Sequence, residues 1–138
     1  WSAVRDHGRS LLGPQADALL PAVDPELVRS ALLDHVRDWP TWVTDMTNPG
    51  AQSYAVLTLC RAFQRLQYGR QLSKRQAADE TVTAHPQWAH LIIWARDWWY
   101  DAGQDTDHGN ANDVRAFVNE LSVGILASER ATRATTAR

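Results

Sequence analysis

Apolar residues along this chain recur at three- to four-residue intervals, and no segment sustains a strict two-residue alternation. The pattern is clearest over 54–68. Ala55, Leu59, Phe63 and Leu66, flanked by Val56, Cys60 and Ala62, fall on one helical face, which predicts a central helix with a buried side. Gly69 breaks it. Ser73 is placed to cap a following helix that runs to about Val82 or Thr83. His85-Pro86 opens another, with Trp88, Leu91, Ile92, Ala95 and Trp99 on one face and Trp94 and Trp98 on a neighbouring one. So wide an aromatic surface implies burial on two sides, against the bundle and against a further domain. After a polar, turn-forming stretch at 101–110, a last helix is expected over 111–127, with Val114, Phe117, Val118, Leu121 and Ile125 inward.

Upstream, residues 1–12 read as the end of a helix with Val4, Leu11 and Leu12 as contacts, stopped by Gly13-Pro14. A connector over 15–25 is expected to pack Leu19, Leu20 and Val23 on the domain. Asp24-Pro25-Glu26 is a helix start, with a capping aspartate, proline at the first position and an acid in the first turn. Leu27, Ala31, Leu32, Leu33 and Val36 carry that helix to about Asp38, where Trp39-Pro40 is expected to interrupt it, and Asn48-Pro49-Gly50 signals a turn. The expected fold is all-α, a compact bundle of about five helices. Residues 1–127 would form the domain and 128–138, without an apolar anchor, a frayed tail.

Length and charge narrow the field. At 138 residues the chain can bury one ordinary core. A net charge of -2 argues against a broad nucleic-acid surface. Cys60, the one cysteine, lies on the apolar side of the central helix and reads as a small buried hydrophobe. Without a disulfide framework, signal peptide or long apolar run, a cytoplasmic protein off the membrane is expected. The start at Trp1, already inside a helical pattern, suggests a fragment of a longer protein.

Charge is distributed unevenly. Arg61, Arg65, Arg70, Lys74 and Arg75 lie within fifteen residues that contain no acid, while the rest of the chain carries nine basic and sixteen acidic residues. Such a cluster suits a polyanion such as a triphosphate; solvation of an exposed face is the plainer alternative. Asp34 with Asp38, and Asp97 with Asp101, are each one helical turn apart and could attract a polycation. The cluster Asp105, Asp107 and His108 matches neither a calcium-loop nor a zinc spacing, the five histidines show no HExxH pattern, and no glycine-rich phosphate loop occurs. No complete catalytic centre is visible, and no metal site is expected.

Three strings point further. Tyr54-Ala55-Val56-Leu57-Thr58-Leu59-Cys60-Arg61, then Gly69-Arg70-Gln71-Leu72-Ser73-Lys74-Arg75-Gln76-Ala77-Ala78-Asp79, with Leu11-Leu12-Gly13-Pro14 ahead of Leu20-Pro21, resemble the C-terminal helical domain of the aminoglycoside nucleotidyltransferases that adenylylate streptomycin and spectinomycin. The resemblance covers most of 5–101 and is tightest over 54–79. It implies an N-terminal nucleotidyltransferase domain, absent from this chain, carrying the carboxylates that hold magnesium and a general base. It also implies transfer of AMP from ATP to a hydroxyl of an aminoglycoside or aminocyclitol, with the present chain inactive alone.

By the same resemblance, Arg61 and Lys74 match residues that touch the triphosphate. Trp42 falls where an aromatic packs on the drug in streptomycin-modifying members. The aspartate that follows in those members meets Thr47 in an ungapped match, with Asp45, two residues earlier, as the substitute. That departure speaks against streptomycin and leaves spectinomycin, another amino sugar, or no antibiotic. A core or loop-packing tryptophan is the alternative for Trp42. For the whole chain the alternative is a non-catalytic helical ligand-binding or interaction module.

Overall fold

The computed structural model describes residues 2–138, and Trp1 lies outside them. Two short helices, α1 (Ser2–His7) and α2 (Ala16–Leu19), precede five longer ones: α3 (Pro25–Trp42), α4 (Pro49–Tyr68), α5 (Lys74–Ala84), α6 (Ala89–Tyr100) and α7 (Ala111–Thr136). A single 3-10 turn, Pro86–Trp88, leads into α6, and no strand occurs among the described residues. The all-α bundle expected from periodicity is what forms.

α4 is its axis, packing on α3, α5, α6 and α7. Every apolar position assigned to its inward face is buried, and Leu57 is too. Truncating a fully buried leucine such as Leu57 or Leu59 to alanine would cost about 2–5 kcal/mol. Polar side chains of α4 are also buried, and they pin its neighbours. Ser53 Oγ donates to the Ala95 carbonyl of α6 at 2.7 Å, and Gln64 Nε2 donates to Thr81 Oγ1 of α5 at 3.3 Å. Gln52 donates through Nε2 to the Met46 carbonyl and accepts the Asn110 amide on Oε1 at 2.7 Å, tying the loop before α4 to the start of α7.

Helix ends follow local chemistry. Asn48 caps α4, accepting the Ala51 amide, so Asn48-Pro49-Gly50 begins the helix rather than forming a free-standing turn. Gly69 ends it at φ 67°, a left-handed conformation that glycine adopts without a side-chain clash. Ser73 and Gln76 form a reciprocal capping box on α5.

Four expectations are corrected. α3 continues through Pro40 to Trp42, because burial of Trp39 and Val43 in the core outweighs the one backbone donor that proline removes. Leu11 and Leu12 make no core contact: α1 ends at His7, and the two leucines are 98% and 95% exposed. Leu19 and Val23 are exposed as well, since this segment is held by polar contacts such as Arg5 Nε to the Leu20 carbonyl. Finally, α7 runs on to Thr136 beyond the expected end near Ala127. Its anchor is ionic: Glu129, only 8% exposed, pairs with Arg29 of α3 and with Arg133 one turn later.

The aromatic surface of α6 is divided. Trp98 is half-buried by this chain itself, between Gly50 in the first turn of α4 and Gly103 in the loop after α6; a Cβ on Gly103 would come within 2.4 Å of its ring. Trp99 and Tyr100 remain exposed.

Candidate functional site

Two stripes define a groove beside the core. On α4, Tyr54, Thr58, Arg61 and Arg65 succeed one another at helical spacing, on the side opposite the most deeply buried positions. On α3, Val28, Leu32, His35 and Trp39 do the same. Between them, closed at one end by Arg70, Gln71 and Leu72, lies a cavity of about 290 Å³ with an apolar floor and Arg61, Arg65 and Arg70 around it.

Lys74, first residue of α5, stands at the other end of the α4 stripe. Its Nζ is 4.0 Å from the ring centroid of Tyr54 and 4.0 Å from that of Trp99. Burial, and then the positive charge of Arg61, lower its pKa from the ordinary lysine value. Arg61 and Lys74 therefore share one electrostatic neighbourhood. The aromatic contacts continue: Tyr54 leans on Trp39 at 6.2 Å, and Trp39 meets Trp42 edge-on at 5.1 Å. His35 meets the other side of Trp42 at 5.5 Å. Alongside, the Arg75 guanidinium lies 4.8 Å from the Tyr100 ring.

Of the five cations between 61 and 75, only Arg70 is paired with a carboxylate, that of Glu80, among the described residues. Arg65 donates to the Gly69 carbonyl. Asp79 and Asp97 both bind Arg96, and Asp34 binds Arg37. Arg61 and Lys74 are thus left with charge to offer an anion, one as a planar fork and the other as a point charge.

Arg61, Lys74 and Trp42 are brought onto one side of the bundle by the chain of contacts through Tyr54 and Trp39. Asp45 is exposed in the turn after α3 and takes no part in that network. Trp42 is 47% exposed, so it is available to a ligand and is not a core residue. Two residues that meet the Lys74 ammonium are not among the site residues expected from the sequence. Tyr54 is 44% exposed and Trp99 41%. For Tyr54 the signal was present, since it lies seven residues before Arg61 and shares its stripe. For Trp99 there was none, because only the approach of α5 brings Lys74 to its ring. Cys60 is inert: burial pushes its thiol up to about 12. No group of three or more His, Cys, Asp or Glu side chains is arranged to hold a metal among the described residues, nor is any helix there long and apolar enough to cross a membrane.

No curated protein matches the chain. The family model for the aminoglycoside adenylyltransferase C-terminal domain matches residues 18–123, a span that takes in the groove, Arg61, Lys74, Trp42 and the aromatic contacts between them, and the chain belongs to that family.

Proposed function

We propose that this chain is the substrate-binding helical domain of an aminoglycoside O-adenylyltransferase, in which Arg61 and Lys74 bind the triphosphate of ATP. The observation that carries this reading is two cations free of carboxylate partners, Arg61 lining the groove and Lys74 held on Tyr54 and Trp99 within the field of Arg61. A polyphosphate supplies the negative charge they lack.

In the reaction, a drug hydroxyl oxygen forms a bond to the α-phosphorus while the bond from that phosphorus to the β-phosphate bridging oxygen breaks. Pyrophosphate leaves. The hydroxyl proton passes to a base of an N-terminal nucleotidyltransferase domain, which also binds magnesium; the metal polarises the phosphoryl group when present. This chain's part is electrostatic and steric. Arg61 grips phosphate oxygens through two N–H groups, and Lys74 offsets charge developing on the departing pyrophosphate. Trp42 offers an exposed face to the aminoglycoside, and Asp45, three residues on and outside the aromatic network, an exposed carboxylate for one of its ammonium groups.

The test is AMP transfer by the protein with its N-terminal domain present. Arg61→Ala and Lys74→Met each lower kcat/KM for ATP about tenfold or more. Trp42→Ala and Asp45→Asn raise KM for the aminoglycoside and leave that for ATP unchanged. Unaltered ATP kinetics in both cation variants would overturn the assignment.

A further inference from the structure

Lys74 is held in an unusual way for a surface lysine. Its backbone is fixed as the first residue of α5 by the Ser73/Gln76 capping box, and its side chain runs back across α4 and α6. The ammonium there rests in a wedge whose walls are Tyr54 and Trp99, each at 4.0 Å. The two rings are 5.9 Å apart and inclined by 46°. The wedge is tied to the core, because Tyr54 contacts Trp39, which is buried in α3.

Holding a lysine with aromatic faces differs in one respect from holding it with an acid. A carboxylate partner would fix the ammonium equally well but would cancel its charge toward a third group. Aromatic quadrupoles attract the cation and leave its net charge intact. Arg29 and Arg96 are treated the first way: Arg29 meets Glu129, and Arg96 meets Asp79 and Asp97. Lys74 is treated the second way, held on two rings within the field of Arg61.

We propose that Tyr54 and Trp99 are positioning residues, which hold the Lys74 ammonium beside Arg61 without neutralising it, so that the two cations meet a phosphate chain already in place. This rests on the phosphate-binding reading above. Neither ring need touch the nucleotide; their effect passes through Lys74.

The test uses this chain with inorganic tripolyphosphate as the probe, following both affinity and the NMR shift of the Lys74 ε-methylene. Ring currents move that methylene upfield in the parent chain. Tyr54→Ala and Trp99→Ala return it toward the free-lysine position and weaken tripolyphosphate binding about two- to fivefold. Tyr54→Phe and Trp99→Phe keep both properties. In a Lys74→Met background, Tyr54→Ala has no further effect on affinity. Both rings are substantially exposed, and circular dichroism verifies that the variants fold.

An unshifted methylene in the parent, or an equal loss of affinity from Tyr54→Ala when Lys74 is already Met, overturns the positioning role. If Lys74→Met weakens binding while the alanine variants do not, the positioning role fails and the phosphate reading stands. If Lys74→Met leaves affinity unchanged, both fall together.

Discussion

The two ends of α3 handle cations in opposite ways. Near its start, Arg29 reaches the end of α7 and meets the buried Glu129, which Arg133 also grips from the exposed side, so that each cation has an acid partner. Near its other end, Trp39 and Trp42 border a site where Arg61 and Lys74 feel each other's charge and neither is paired with a carboxylate. The first arrangement fixes a helix; the second leaves charge available. Matched pairs contribute to stability chiefly by making each other's burial tolerable, whereas an unmatched neighbouring pair costs some stability and gains meaning only when an anion arrives.

Breaking the matched end has the largest expected effect on stability. Glu129→Ala removes the shared acceptor of Arg29 and Arg133, both of which regain water in part, and lowers unfolding stability by about 1–2 kcal/mol, read by urea denaturation; a loss confined to a few tenths would mean the contact is ornamental. Acid has a graded version of the same effect. Arg29, and after it Arg133, hold the Glu129 carboxyl below its ordinary value of 4.5. A depressed carboxyl contributes stability above its unfolded pKa and loses it as pH falls through the folded one. Stability should therefore decline below about pH 4.5 in the parent and decline less steeply in Glu129→Gln.

The unmatched end should behave in reverse. Arg61→Ala removes a like-charge neighbour of Lys74 and should leave stability unchanged or raise it by about 0.5 kcal/mol. The same denaturation experiment checks this, and a large loss would show that Arg61 has a structural partner after all.

How much of this was legible in the sequence differed between the two ends. The core face of α4, the Gly69 stop and the Ser73 cap are local patterns, and each is met in the structure. The pairing of Glu129 with Arg29 joins residues a hundred positions apart. Nothing in the Ala-, Thr- and Arg-rich end of the chain signals it, which is why α7 was expected to stop early. Pro40 misled for a related reason, since the burial that overrides it is tertiary. At the cation site, clustering of Arg61 and Lys74 was visible as a run without acids. The aromatic wedge was not, because it is assembled from α4, α5 and α6, and periodicity assigned Trp99 to the buried side.

The most direct measurement is a map of where this chain binds tripolyphosphate, taken from amide and side-chain NMR shifts during titration. If the cations without acid partners form the anion site, perturbations centre on Arg61, Lys74, Tyr54 and Trp99, with the Arg29–Glu129–Arg133 contact silent. Shifts centred on the end of α7, or none that saturate, would contradict it.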